Sequence, residues 1–217
     1  MATLDKDNKK KSGPEKPQQP LQPGMMMWEA GIMYFSDGFD SNTTKPVIQA
    51  IIEKNLLPDS SRPKELTLVI NSPGGQVHSA FALIDTMKGS AIPVKTVGLG
   101  MIASCGLLTF MSGTKGRRVI TPNTSILSHQ YSWGSVGKEH ELFARVKEFE
   151  LSTARMIDHY KKCTGLSEKK IKEILLPPED VWLSAKEAVK YGIADKIVSF
   201  PIKFNPTLPL PTGFSLS

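Results

Sequence analysis

Apolar residues along this chain fall into short bursts divided by turn residues, and the spacing within each burst indicates the element it builds. Ile32-Met-Tyr-Phe35, closed by Ser36-Asp-Gly38, predicts a strand and a turn. Asn42, Thr43 or Thr44 is placed to cap a helix with Pro46 in its first turn. Val47, Ile48, Ile51 and Ile52 share one face before Asn55 and Pro58 end the run. Leu66 to Ile70 reads as a buried strand, Val77 to Met87 has helical spacing, and Pro73-Gly-Gly75 joins the two. Val94 to Val97 predicts another strand. A helix from about Ser104 to Met111 follows, then two short strands around Val119-Ile120 and Ile126-Leu127.

From Lys138 to Lys162 runs an unusually long helical pattern, with Leu142, Phe143, Val146, Phe149, Met156, Ile157 and Tyr160 on one stripe and Gly165 as its stop. A helix over Glu168 to Leu175, a break at Pro177-Pro178, a short helix from Ala185 and a strand around Ile193 to Val198 complete the pattern. Such strand–turn–helix alternation predicts an α/β fold, with right-handed crossovers on a parallel sheet and functional groups at the carboxyl ends of the strands. Gly75 and Ser104 both occupy that position.

Composition divides the chain. Residues 1–24, rich in Lys, Pro, Gln and Asn, are expected to form a disordered polar tail or propeptide; residues 25–200 form one domain, and 201–217 an extended, proline-rich tail. The 217 residues suffice for a single compact domain with a sizeable core. A net charge of +6 raises the question of nucleic acid, but Lys and Arg are scattered and not interleaved with aromatics on one face, so nucleic-acid binding is not expected. No apolar run approaches the roughly 20 residues of a membrane span, and no secretory h-region follows the N-terminal lysines. Cys105 and Cys163 lie far apart with no zinc-type spacing, so the expectation is a reducing compartment, no metal and no cofactor.

The chemistry concentrates in three places. Ser104 lies in Gly100-Met-Ile-Ala-Ser-Cys-Gly106, where small residues let the chain turn sharply from strand to helix; this exposes the hydroxyl and aims the Cys105 amide at a shared point. Alone, the same pattern describes a small-residue helix start packed on a sheet. His129 ends the strand-like run Ser125-Ile-Leu-Ser128 and precedes the glycine-bearing loop Trp133-Gly-Ser-Val-Gly137. His78, His140 and His159 read as surface residues. Asp180, in Glu179-Asp-Val-Trp-Leu-Ser-Ala185, stands on an irregular segment, whereas its rivals Asp85 and Asp158 lie within helices; a helix cap is its duller reading. A serine hydroxyl needs an imidazole to take its proton and a carboxylate to hold that imidazole, and Ser, His, Asp is the order here. The Asn71-Ser-Pro-Gly-Gly75 turn offers further backbone donors. Cys105 reads as a small apolar filler with a useful amide. Gly98-Leu-Gly-Met-Ile-Ala103 spells a dinucleotide fingerprint, but the acidic residue that should follow about 20 positions later does not occur until Glu139. No Walker A sequence occurs, so ATP dependence would come from a partner.

Ile70-Asn-Ser-Pro-Gly-Gly75, Gly100-Met-Ile-Ala-Ser-Cys-Gly106, Gly113-Thr-Lys-Gly-Arg117, Leu127-Ser-His-Gln130 and Leu183-Ser-Ala-Lys-Glu-Ala188 together resemble the Clp protease proteolytic subunit, in that family's order and nearly its spacing, over about residues 31–200. The resemblance implies a crotonase-like α/β spiral of βαβ units with a projecting handle helix, matched here by Lys138 to Lys162. It implies Ser104 as nucleophile, His129 as general base and then acid, Asp180 as orienting carboxylate, and the Gly75 and Cys105 amides as the oxyanion hole. Gly134 and Gly137 would hold extended substrate by main-chain pairing. Further implications are two stacked heptameric rings forming a tetradecamer, unfolded polypeptide as substrate, an AAA+ unfoldase as possible partner, and a cytoplasmic, organellar or infected-host location. Glu179 stands where the family usually has an arginine, and Tyr131 where it usually has proline. A non-catalytic ring subunit working with an active paralogue is the rival reading; an acyl-CoA enzyme on the same scaffold is a distant third.

Overall fold

The computed structural model describes residues 25–132 and 134–199. The expected tails over 1–24 and 201–217, and Trp133, lie outside the described residues.

A short helix α1 (Met25–Glu29) leads into strand β1 (Ile32–Phe35), where Met33 and Phe35 point into the core and Tyr34 outward. Helix α2 (Ser41–Leu56) starts earlier than the sequence suggests. The Asp40 carboxylate accepts from the backbone N–H groups of Asn42 and Thr43, and the Thr43 hydroxyl accepts from Asp40 N, so a full capping box sets the start. Pro46 therefore sits beyond the first turn. Strand β2 (Leu66–Ser72), helix α3 (Val77–Gly89) and strand β3 (Val94–Ala103) follow.

β3 runs to Ala103, well past the expected end at Val97, because it continues through Gly98 and Gly100 instead of turning there. The dinucleotide-like glycines thus lie within a strand, not in a phosphate-cradling loop. The β2–β3 ladder shifts register between Ile70 and Ser72, and at that bulge the Asn71 side-chain oxygen accepts from Met101 N at 3.0 Å. Helix α4 (Cys105–Met111) is wholly buried. Strands β4 (Arg118–Ile120) and β5 (Ser125–Ser128), the 26-residue helix α5 (Glu139–Thr164) and helix α6 (Glu168–Lys170) come next. α6 passes into a π-helical turn over Ile171–Leu175, and strand β6 (Val181–Leu183), helix α7 (Ala185–Lys190) and strand β7 (Lys196–Ile197) close the described chain.

The sheet runs β1-β2-β3-β4-β7, all parallel. β3 pairs with β4 over its first half and with β5 over its last three residues, and β5 pairs antiparallel with β6. One face carries the main core, from Phe35, Ile70 and Ile84 to Phe110, Tyr160 and Ile193. A small cluster of Val69, Val97 and Val119 lies on the alternate side chains of the same strands. Among the described residues no helix is long and apolar enough to cross a membrane. The expected parallel α/β fold and the long projecting helix are both present.

Candidate active site

Ser104 sits at the strand-to-helix turn between β3 and α4 with φ +53° and ψ −118°, the one non-glycine residue with positive φ among those described. A side chain is held there only when its surroundings enforce it. Two hydrogen bonds do so, Ser104 N donating to Leu127 O on β5 at 3.0 Å and Ser104 O accepting from Leu108 N at 3.1 Å, and the buried α4 follows at once. The turn leaves the hydroxyl outside the helix, where it caps nothing.

The Pro73-Gly-Gly75 turn lies against this serine. A Cβ on Gly74 would fall 2.6 Å from Ser104 Cβ, and one on Gly75 would fall 2.5 Å from the backbone N and O of Phe39; both glycines have positive φ. No side chain fits at either position. Phe39 N donates to Gly74 O and Gln76 N donates to Phe39 O, so the bridge to Phe39 turns the N–H of Gly75 away from it. Ser72 braces the turn, its hydroxyl donating to Asp37 O at 2.6 Å and accepting from Gly74 N at 3.2 Å.

Gly75, Ser104, Cys105 and His129 line one cavity of about 50 Å³. Cys105 N–H belongs to the first turn of α4, whose amides have no helical acceptor. Its thiol donates to Gly75 O at 3.1 Å, and burial pushes its pKa up to about 11, so it stays protonated and does not compete as a nucleophile. His129 follows the end of β5 and is half-buried. Just before it, Ser128 donates to Leu175 O at 2.6 Å and accepts from the Tyr160 hydroxyl at 2.7 Å; just after it, Gln130 donates to Leu176 O. The backbone carrying the imidazole is thus fixed on both sides.

Asp180 lies outside the cavity lining and is exposed. The β5–β6 register pairs Ile126 with Leu183, Leu127 with Trp182 and Ser128 with Val181; one step further it sets His129 opposite Asp180. Opposed residues of an antiparallel pair have Cβ atoms about 5 Å apart. Among the described residues, no hydrogen bond joins Ser104 to His129 or His129 to Asp180. Asp180 does not cap the following helix: Ser184 does, with Glu187 completing its capping box. Asp158 pairs with Lys162 at 2.6 Å along α5, and Asp85 lies within α3. Residues 134–137 have no regular secondary structure, and Gly134 and Gly137 are exposed.

Two histidines differ from or extend the sequence reading. His159, expected at the surface, is 2% exposed, because α4 packs across α5 at that point and Leu108 O takes its Nε2–H at 2.8 Å. His78, exposed on the first turn of α3, reaches Glu148 of α5 at 2.9 Å. The Tyr131 ring stacks on Phe149 with centroids 5.6 Å apart, a contact between the His129 loop and α5 that sequence periodicity does not signal. Among the described residues no group of three or more His, Cys, Asp or Glu side chains is placed to hold a metal ion.

A parallel α/β sheet presenting a serine on a strained strand-to-helix turn, in a cavity shared with a histidine, has the form of a serine hydrolase. The family model of Clp protease matches residues 19–200, and the chain belongs to that family, one of serine peptidases. Over 150 residues it is 36% identical to the ATP-dependent Clp protease proteolytic subunit of Deinococcus radiodurans, spanning 69% of this chain and 72% of the relative. It is 36% identical over 158 residues to the proteolytic subunit 1 of Chlamydia muridarum (72% and 81%). Against proteolytic subunit 2 of Chlamydia trachomatis it is 32% identical over 157 residues (72% and 76%).

Proposed function

We propose that this chain is the ATP-independent peptidase core of a self-compartmentalised serine protease, hydrolysing unfolded polypeptides and short peptides. The observation that carries this reading is Ser104, held at φ +53° in a cavity shared with Gly75, Cys105 and His129. Ser104 Oγ attacks the scissile carbonyl while His129 takes its proton, and the Gly75 and Cys105 N–H groups receive the oxyanion. His129 then returns the proton to the leaving amine. Water enters by the same route in reverse, releasing the acyl group and restoring Ser104. Asp180, opposite His129 in register, orients the imidazole. The main chain around Gly134 and Gly137 holds extended substrate.

The fold supports an assembly of two stacked heptameric rings, in which α5 projects from each subunit and the apolar residues on its first half meet another copy. An AAA+ unfoldase of the Clp type feeds the chamber, in a cytoplasmic or organellar compartment. A second reading is a ring subunit without activity of its own, favoured by the exposure of Asp180. Both readings meet one experiment: the assembled protein is treated with a fluorophosphonate and given a short fluorogenic peptide, with Ser104→Ala alongside. Labelling and turnover in the wild type, both lost in the variant, is the expected result. An assembled wild type that neither labels nor cleaves would establish the second reading.

A further inference from the structure

A chain of hydroxyls lies in the interior directly beside His129. Ser128 is 0% exposed, and Tyr160, part of the main apolar core, is 2% exposed. The Ser128 hydroxyl has one proton and gives it to Leu175 O, so at the 2.7 Å contact between the two hydroxyls Tyr160 is the donor. Burial pushes the Tyr160 phenol above its ordinary range, so it keeps that proton through neutral pH. We propose, resting on the peptidase reading above, that Ser128 and Tyr160 are positioning residues for the reaction: the chain from Tyr160 through Ser128 to Leu175 O holds the backbone from which the His129 imidazole reaches Ser104.

The receiving carbonyls are open because of how the preceding helix ends. Leu176 N bonds back to Ile171 O in the π-helical turn, and the last carbonyls of a helix have no partner within it. Pro177 and Pro178 follow and carry no N–H to offer them. Leu175 O and Leu176 O are taken instead by side chains of the histidine segment, Ser128 on one side of His129 and Gln130 on the other. Packing alone would be met by an apolar side chain at position 128, with no partner to find. A hydroxyl there adds what an apolar residue lacks, since a hydrogen bond fixes direction as well as distance. It joins three elements, α5 through Tyr160, β5 through Ser128 and the π-helical turn through Leu175, at the residue before the proposed base. Tyr160 also lines the cavity that holds Ser104 and His129, so a shift of its ring is felt there directly. A displacement of about 1 Å from a reactive geometry costs about 10²-fold in rate, which is the scale on which such a brace acts.

The test uses the full-length assembled protein. Fluorophosphonate labelling first counts competent sites. Then kcat and KM are measured on a short fluorogenic peptide for Tyr160→Phe, Ser128→Ala and the double variant, alongside denaturant unfolding. Tyr160→Phe is expected to lower kcat about tenfold and Ser128→Ala about 10–100-fold, with KM within about twofold of wild type. The double variant should fall no further in kcat than Ser128→Ala, because the two hydroxyls act as one chain. Its unfolding midpoint should nevertheless rise above that of Ser128→Ala, which leaves the buried Tyr160 hydroxyl without a partner. That divergence separates positioning from a purely structural role. A double variant whose kcat recovers along with its stability overturns the proposal. So does a folded Tyr160→Phe with wild-type kcat, which decides the matter if Ser128→Ala fails to assemble. Wild-type protein that takes no label removes the peptidase reading itself and this inference with it, a result distinct from turnover that is indifferent to the two hydroxyls.

Discussion

His159 is a titratable side chain with almost no water around it. Its Nε2–H is given to Leu108 O, Lys88 Nζ lies 3.4 Å from Nδ1, Cys163 Sγ lies 3.6 Å from Nε2, and Phe81 meets the ring edge-on at 6.0 Å. Burial, seconded by the Lys88 charge, lowers its pKa from 6.5 to about 4, against the opposing pull of the Leu108 hydrogen bond and of Asp158 and Asp85. Between those values the unfolded chain binds a proton that the folded one refuses, so stability is complete above pH 6.5 and declines as pH falls toward 4. The whole effect is about 3 kcal/mol. Denaturant unfolding at pH 8, 6.5, 5.5 and 4.5 should show this decline in the wild type and a flatter profile in His159→Gln, which keeps a donor for Leu108 O. That Ser104 and His129 stand where a strand ends and the chain turns was legible in the sequence. His159 was not, because its burial depends on α4, some fifty residues away, crossing α5 at that turn. The β5–β6 register that runs toward Asp180 and His129 was not, because local spacing does not encode strand pairing.

At the scale of elements, one ion pair fastens the far edge of the sheet. Arg118 on β4 is 1% exposed and donates to both carboxylate oxygens of Asp195, just before β7, while its remaining nitrogen donates to Cys163 O in the last turn of α5. It thereby satisfies a carbonyl that the helix end leaves without a partner. Burial alone would raise the Asp195 carboxyl, yet the Arg118 hydrogen bonds and charge hold it below its ordinary value. Asp195→Ala strands a buried guanidinium and is expected to cost about 3–5 kcal/mol in denaturant unfolding. Replacing both residues, Arg118→Met with Asp195→Leu, should recover most of that loss. Most elements follow from apolar spacing, and the misreadings share a physical origin. Gly98 and Gly100 resemble turn residues, but β3 passes through them because its partners continue. The start of α2 moved to Asp40 because a complete capping box outcompetes the three polar residues after it.

For the whole molecule, the long stripe on α5 divides in two. Met156, His159 and Tyr160 cover the core of their own chain, whereas Phe143, Val146 and Leu151 remain 68%, 41% and 45% exposed. An apolar stripe with no partner in its own subunit is suited to a second copy. Phe143→Glu is therefore expected to move the assembly toward smaller species in sedimentation velocity, with the circular dichroism of the subunit retained. The α/β class was readable from strand–helix alternation. The exchange of β3 between β4 and β5 was not, since nothing local marks a strand that changes neighbours midway. A further consequence follows from the shortness of the β5–β6 ladder. Only three residue pairs hold Asp180 in line with His129, while Ser104 leads directly into the wholly buried α4. Short edge ladders fray at free energies far below that of global unfolding. On the proposed roles, warming would therefore idle the catalyst before it melts, and cooling would restore it: activity is governed by the weakest seam of the subunit, and whatever tightens that seam acts as a throttle.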